Sequence, residues 1–184
     1  MLEPVTPRLD DGIAFTPLGI AVLTISDTRD QTSDRSGAWL AEAVRAAGHR
    51  LVDRRIVRDE PAEIETAVRR WLADEDVDVV ITTGGTGITL RDVTPEVLEP
   101  LFDKPIPGFG ELFRMLSYRS IGPATVQSRA LAGLARGTLV FALPGSPGAC
   151  RDAWEGILKW QLDCRCRPCN FAELLPRIRQ APAG

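Results

Sequence analysis

The segment Thr83-Gly84-Gly85-Thr86-Gly87 is a candidate anion-binding loop. It can present several backbone N–H groups to one anion, because glycine allows close approach and left-handed backbone angles. A tight turn after a strand is the simpler interpretation of a glycine cluster taken alone. The loop lacks both the Gly-Lys-Ser/Thr ending of a Walker A motif and the Gly-x-Gly-x-x-Gly spacing of a dinucleotide-binding fold. The sequence therefore disfavours a general nucleotide hydrolase and a nicotinamide enzyme.

Two aspartates, Asp59 and Asp92, are the candidate catalytic and metal-binding residues. Each has a structural alternative, since Asp59 flanks a predicted helix start and either Asp92 or Thr94 could cap the helix near Pro95. Beside a phosphate-binding loop, however, two carboxylates would repel the phosphate unless a divalent cation lay between them. We therefore expect Asp59 and Asp92 to hold or orient hydrated Mg²⁺ bound to ATP. Positioning and electrostatics would then supply most of the rate enhancement.

Four cysteines raise the possibility of a zinc site. The spacing Cys164-x-Cys166-x-x-Cys169 contains one Cys-x-x-Cys half-site, and the only obvious fourth ligands are Cys150 and the single histidine, His49. The second half-site is missing, so a structural metal is the minor alternative. The clustering near one end of the chain does not resemble a disulfide framework.

Composition places the chain among globular proteins of one domain. It has 184 residues, 44% of them hydrophobic and 26% charged, with a net charge of −3. This charge provides no basic field for nucleic acid or an anionic membrane. No apolar run reaches the roughly 20 residues of a membrane span, and no signal peptide is evident, so we expect a cytoplasmic protein. We predict a flexible leader over residues 1–18, a domain over 19–171 and a tail over 172–184.

Hydrophobic patterning predicts strands that alternate with helices. Apolar runs predict strands at residues 19–26, 50–57, 77–83 and 138–143, whereas the small residues 130–135 predict a helix. Such alternation is typical of a parallel sheet that is covered on both faces, in which ligands bind beyond the carboxyl ends of the strands. We therefore expect four loops to converge at one edge of the sheet: those at Ser26, at Asp59, at residues 84–87 and at residues 144–147.

Five motifs together resemble the molybdenum cofactor biosynthesis family, which includes molybdopterin adenylyltransferases and the related B-type proteins. The resemblance covers residues 20–171, and segments 110–117 and 167–171 are most similar to the B type. The motifs are, in order, Thr83-Gly84-Gly85-Thr86-Gly87, Arg91-Asp92-Val93-Thr94-Pro95-Glu96, Pro107-Gly108-Phe109-Gly110-Glu111, Ser128-Arg129-Ala130 and Leu143-Pro144-Gly145-Ser146-Pro147.

The resemblance implies a three-layer α/β/α sandwich with a mostly parallel sheet, assembled as a homotrimer or a dimer of trimers. It also implies that the aspartates matching Asp59 and Asp92 serve Mg²⁺–ATP chemistry, in which the molybdopterin phosphate attacks the α-phosphate of ATP and releases pyrophosphate. A non-catalytic molybdopterin-binding carrier of the B type is the alternative. Ser128 and Arg129 could bind a phosphate or a pterin edge, or simply start a helix. The residues expected to contact ligands are Ser26, Asp27, Thr83, Gly84, Gly85, Thr86, Gly87, Thr94, Glu96, Ser128, Arg129, Pro144, Gly145 and Ser146.

Overall fold

A computed structural model describes residues 7–180 of the chain. Eight strands are present in this range: β1 Arg8–Leu9, β2 Gly19–Ile25, β3 Arg50–Val57, β4 Val79–Thr83, β5 Lys104–Pro105, β6 Leu131–Ala135, β7 Thr138–Leu143 and β8 Cys166–Arg167. The α-helices of the same range are α1 Arg35–Ala46, α2 Pro61–Leu72, α3 Thr94–Leu98, α4 Pro107–Ile121, α5 Pro147–Ala153, α6 Lys159–Gln161 and α7 Phe171–Arg179. Short 3₁₀ segments follow α3 and α4, and a π-helical turn, Trp154–Leu158, joins α5 to α6.

The central sheet has six strands in the order β3-β2-β4-β7-β6-β5. Strands β3, β2, β4 and β7 run parallel to one another, while β6 and β5 are antiparallel additions at one edge. The predicted mostly parallel sheet is therefore confirmed. Within residues 7–180, no helix is both long enough and apolar enough to cross a lipid bilayer.

Two hydrophobic cores lie on opposite faces of this sheet. Successive residues of a strand point to opposite faces, so Val79 and Ile81 of β4 pack in one core and Val80 packs in the other. The first core is covered by α1, α4, α5 and α7, and the second by α2 and α3. The structure confirms the predicted three-layer α/β/α sandwich, with its central strands buried on both faces.

The predicted helix over residues 130–135 is wrong, because this segment forms strand β6. A two-residue turn, Arg136-Gly137, with φ of 51° and 83°, joins β6 to β7 in an antiparallel hairpin. Positive φ at both central positions matches the right-handed twist of paired strands. Gly133 also faces the ring of Phe102, which leaves no room for a side chain at that position. The turn and the packing thus override the helical preference of small residues.

Parts of the predicted leader and tail contact the domain. Strand β1 pairs with β8 in a separate two-stranded sheet, and the ring of Phe15 lies 5.2 Å from that of His49. In helix α7, Ala172 and Leu175 are buried in the first core. Residues 1–6 and 181–184 lie outside the described range.

Candidate functional site

The loops that follow the four parallel strands meet at one edge of the sheet, as the sequence predicts. Backbone N–H of Gly84 donates to the carbonyl of Leu143 at 3.0 Å, which joins the glycine loop to the end of β7. The hydroxyl of Thr83 donates to the carbonyl of Pro144 at 2.9 Å and lies 3.2 Å from the Cys150 sulfur. These contacts hold the two loops side by side.

The glycine loop is confined by its neighbours to a conformation that suits glycine. Gly84 and Gly85 have φ of 110° and 63°, in the left-handed region. A Cβ on Gly84 would lie 2.1 Å from the carbonyl oxygen of Ile25. On Gly85 it would lie 2.3 Å from Thr94 Oγ1 and 3.1 Å from Asp59 Oδ1. In the described part of the chain, the N–H groups of Gly85 and Thr86 donate to no protein acceptor, so they are available to an anion.

A hollow of about 470 Å³ lies in front of this loop, and we call it the rim hollow. It brings together Asp59, Asp92 and most of the predicted ligand-contacting loop residues, while its opposite wall comes from α4 and the 3₁₀ segment after it. The predicted site residues that line it are Asp59, Gly84, Gly85, Thr86, Gly87, Asp92, Ser128, Pro144, Gly145 and Ser146. Its volume falls within the range typical of small-molecule sites.

Asp59 is a half-buried carboxylate that forms no ion pair with any residue from 7 to 180. Its pKa is raised above the ordinary aspartate value, chiefly by burial and then by repulsion from Asp27. The backbone N–H of Asp27 and the guanidinium of Arg91 act in the opposite direction without cancelling this rise. A negative charge held at some cost would gain from a bound cation.

Asp92 is held more firmly than Asp59. One of its oxygens, Oδ2, accepts hydrogen bonds from Thr89, at 2.9 Å from the backbone N and 2.7 Å from the hydroxyl. Burial acts to raise its pKa, but the hydrogen bonds from Thr89 and Gly87 and the nearby Arg129 hold the pKa below the ordinary value. Asp92 is therefore ionised at neutral pH, as a metal ligand must be.

Ser26 and Asp27 lie beside the rim hollow and line a neighbouring recess. The hydroxyl of Ser26 accepts from the backbone N–H groups of Thr28 and Arg29, both at 3.2 Å. Asp27 forms a two-pronged ion pair with Arg91 at 2.9 Å and accepts from the backbone N–H of Asp59 at 3.3 Å. Asp27 thus connects the loop carrying Asp59 to the loop carrying Arg91 and Asp92.

Thr83 and Thr94 are fully buried and support the glycine loop from behind. The proposed cap role for Thr94 is wrong, since Val93 occupies the N-cap position and no side chain caps the helix. Thr94 instead donates from its hydroxyl to the carbonyl of Gly84 at 2.9 Å and from its N–H to that of Gly85 at 3.0 Å. Both bonds fix the conformation of the glycine loop.

Glu96 and Arg129 lie on the other side of the loop and pair with each other. They line a second hollow of about 640 Å³, together with Arg114 and the apolar side chains of Phe102 and Ile106. The structure therefore does not bring these two predicted ligand-contacting residues into the rim hollow. Ser128, directly before Arg129, does line it.

Sequence reasoning missed the wall of the rim hollow that α4 and the following 3₁₀ segment supply. Neighbouring Gly122 and Pro123 end α4 and were a usable signal that the chain turns there. The nearby polar residues Thr125 and Gln127 were not singled out. The wall residues are Phe113, Ser117, Ile121, Ala124, Thr125 and Gln127.

The donor set at the rim hollow suits a hydrated cation rather than a closed metal site. No three His, Cys, Asp or Glu side chains between residues 7 and 180 are grouped so as to hold a metal ion. Mg²⁺ usually keeps several waters and needs only one or two protein carboxylates, with substrate phosphates as its other ligands. Asp59 and Asp92 can provide these carboxylates. The cysteines are unpaired, with Cys150 and Cys166 buried and Cys169 exposed.

Comparison with known proteins identifies the family of the chain. Residues 21–163 match the family described as "Probable molybdopterin binding domain". Molybdenum cofactor biosynthesis protein B of Escherichia coli (strain K12) is 53% identical over 157 residues, which cover 85% of this chain and 92% of that protein. Its namesake in Staphylococcus aureus (strain Mu50) is 48% identical over 146 residues, 78% of this chain and 86% of that one.

Solved structures lead to the same family. A crystal structure of molybdenum cofactor biosynthesis protein B superposes with a TM-score of 0.83 at 40% identity, covering 92% of this chain and 100% of that chain. The tungsten cofactor synthesizing protein MoaB from Pyrococcus furiosus has a TM-score of 0.75 at 36% identity, covering 91% and 100%. The chain belongs to the molybdenum cofactor biosynthesis protein B family. This membership supports a role in molybdenum cofactor biosynthesis.

Proposed function

We propose that this protein binds molybdopterin and transfers AMP to its phosphate from Mg²⁺–ATP. The proposal depends on the rim hollow, which Asp59 and Asp92 line together with the glycine loop. The N–H groups of Gly85 and Thr86 in this loop donate to no acceptor within residues 7–180. A phosphate oxygen of molybdopterin would form a bond to the α-phosphorus of ATP, and the bond from that phosphorus to the bridging oxygen would break. Adenylylated molybdopterin and pyrophosphate are then the products.

The protein's part in this reaction is positioning and charge control. The N–H groups of Gly85 and Thr86 would bind phosphate oxygens, and the carboxylates of Asp59 and Asp92 would hold Mg²⁺ through oxygen or water. When bound, Mg²⁺ offsets the charge of the phosphates and of the departing pyrophosphate. No protein nucleophile is required, because the attacking oxygen belongs to the substrate.

We further propose that the protein assembles as a homotrimer or a dimer of trimers, and the exposed face of α4 and of the 3₁₀ segment after it supports self-association. Apolar side chains are concentrated there, and such exposed patches mark interaction surfaces. Sedimentation velocity should therefore give three or six times the chain mass, and a monomer would contradict this part of the proposal. The exposed apolar residues are Leu112, Met115, Tyr118, Ile121 and Val126.

The Asp92→Asn variant tests the reaction. Wild type should release pyrophosphate from ATP only when molybdopterin and Mg²⁺ are both present. The variant should lose about a thousandfold in turnover, because it loses the charge that holds the cation. Its melting temperature and its molybdopterin affinity should stay close to those of wild type.

Asp76→Asn is the matched control, since Asp76 is an exposed carboxylate on another part of the surface and should retain full turnover. Wild-type protein that binds molybdopterin but never forms the adenylylated product would overturn the transferase proposal. That result would instead establish the non-catalytic carrier.

A further inference from the structure

Arg129 is surrounded by backbone carbonyls of the loop that carries Asp92, which we call the Asp92 loop (residues 86–93). Its Nε donates to the carbonyl of Gly87 at 2.6 Å, and its NH2 donates to the carbonyl of Asp92, also at 2.6 Å. A third donor, NH1, pairs with the carboxylate of Glu96. The backbone N–H of Arg129 donates to the carbonyl of Thr86 at 3.0 Å. One residue therefore holds both ends of the loop.

The Asp92 loop has few other means of support. Of its apolar residues, Ile88 and Leu90 are exposed, at 68% and 100%, and contribute little burial, while Val93 at the end of the loop packs against the second core. Arg91 pairs with Asp27 and Glu60, but all three side chains are exposed, and exposed ion pairs add little stability. Charge-assisted bonds from a partly buried guanidinium to two carbonyls are stronger.

The direction of these bonds argues against direct phosphate binding, the simplest role for Arg129. Three of its five donors are directed at protein acceptors, and its side chain lines the second hollow rather than the rim hollow. Turning the guanidinium toward a phosphate in the rim hollow would leave these carbonyls without a partner. Unpartnered polar groups are costly when they are shielded from water.

We propose that Arg129 is a positioning residue, which fixes the carboxylate of Asp92 in the rim hollow by bracing the Asp92 loop from behind. This inference rests on the proposed function for the role of Asp92 in the reaction. The planar fork of arginine meets carbonyls in two directions at once, which the single ammonium of lysine cannot do in the same geometry. Glu96 fixes the outer edge of the fork and neutralises its charge.

Backbone hydrogen exchange tests the brace without requiring any activity. In Arg129→Gln, exchange of the Thr89, Asp92 and Thr94 amides should become at least about tenfold faster, since two charge-assisted bonds are lost. Amides in strand β2 should be unchanged. In Arg129→Lys, the exchange rates of these amides should lie between those of Arg129→Gln and wild type. This variant serves as the test if Arg129→Gln does not fold. Arg69→Gln, which removes an exposed arginine from α2, is the matched control and should behave as wild type.

Metal and nucleotide binding separate positioning from direct ligand contact. With Mn²⁺ and a non-hydrolysable ATP analogue, Arg129→Gln should weaken Mn²⁺ binding about tenfold, while the analogue alone binds as to wild type. In turnover, the variant should lower kcat and raise the Mg²⁺ requirement, with the KM for molybdopterin unchanged.

Weaker binding of the metal-free analogue, with unchanged amide exchange, would overturn the inference and make Arg129 a phosphate ligand. Unchanged exchange together with unchanged Mn²⁺ affinity would overturn it as well. Absence of turnover in wild type would instead count against the proposed function, and the exchange and Mn²⁺ results would still decide what Arg129 does.

Discussion

Two aspartates beside the parallel sheet, Asp34 and Asp59, have opposite surroundings. The Asp34 side chain is 1% exposed and has every oxygen occupied. It accepts from Thr24 Oγ1 at 2.8 Å and from the backbone N of Gly37 at 2.9 Å, and it pairs with Arg54 at 2.7 Å. Asp59 is only half-buried, yet it has no ion-pair partner among residues 7–180 and its pKa is raised. The less buried carboxylate is thus the less satisfied one.

This contrast distinguishes a carboxylate that stabilises the fold, Asp34, from a carboxylate that remains available to bind a cation, Asp59. Asp34 caps α1 and joins it to β2 and β3, so its charge is used within the protein. Asp59 lies beside the glycine loop, 3.1 Å from where a Gly85 Cβ would be, and it lines the rim hollow. Unsatisfied groups of this kind are concentrated at functional sites, where binding rather than folding satisfies them.

The largest effect is expected from Asp34→Ala, which should lower the free energy of unfolding by about 3 kcal/mol. Removing the buried carboxylate leaves the charge of the partly buried Arg54 uncompensated, and Nε of Arg54 already lacks a partner in the described structure. The loss of the helix cap adds to this effect. Urea unfolding followed by circular dichroism measures it.

The exposed carboxylate Asp76, which lies 3.8 Å from Arg50, provides the control. Asp76→Ala should change the unfolding free energy by less than about 0.5 kcal/mol. Equal losses in the two variants would remove the distinction between Asp34 and the surface acids.

The sequence predicts the buried strands and the meeting of the two candidate aspartates for one physical reason. Continuous apolar runs require strands buried on both faces, and parallel strands bring their carboxyl ends to the same edge. The strand at residues 131–135 was not predictable from composition, because a turn and a neighbouring strand decide its conformation. The direction of Arg129 was also hidden, since its acceptors, Gly87 and Asp92, lie 42 and 37 residues away in the chain.

The sequence also does not show which aspartate has a cationic partner in the folded protein. Asp34 and Asp59 both lie just before helices, α1 and α2, and no local pattern distinguishes them. Arg54, which compensates Asp34, is 20 residues distant and projects from a strand that the sequence places correctly without fixing the partners of its side chains. Packing of whole elements decides which acid has a cation, so that part of the site required the three-dimensional structure.

The smallest effect is expected from Asp59→Asn, which should raise the melting temperature at pH 7 by about 2 °C. A gain of somewhat under ~1 kcal/mol in the free energy of unfolding gives a shift of this size in a domain of this length. Folding raises the pKa of this carboxyl, so its contribution to stability is fully present below the unfolded pKa and is lost as pH rises through the folded pKa. At pH 7 wild type therefore bears the cost of the charge and the variant does not. The difference should vanish as pH falls below about 4.

In the presence of Mg²⁺–ATP, wild type should melt at a higher temperature than Asp59→Asn, the reverse of the order expected without nucleotide. This reversal tests whether the Asp59 charge, unlike that of Asp34, is left available for a ligand. A ligand that binds only the native state raises its stability by mass action, so the nucleotide should stabilise wild type and do little for Asp59→Asn. Glu60→Gln is the control. Because the charge of Glu60 is paired with Arg91, removing that charge should not raise the melting temperature. A variant that melts below wild type at pH 7 in the absence of nucleotide would mean that the Asp59 charge is satisfied within the fold after all, as the Asp34 charge is.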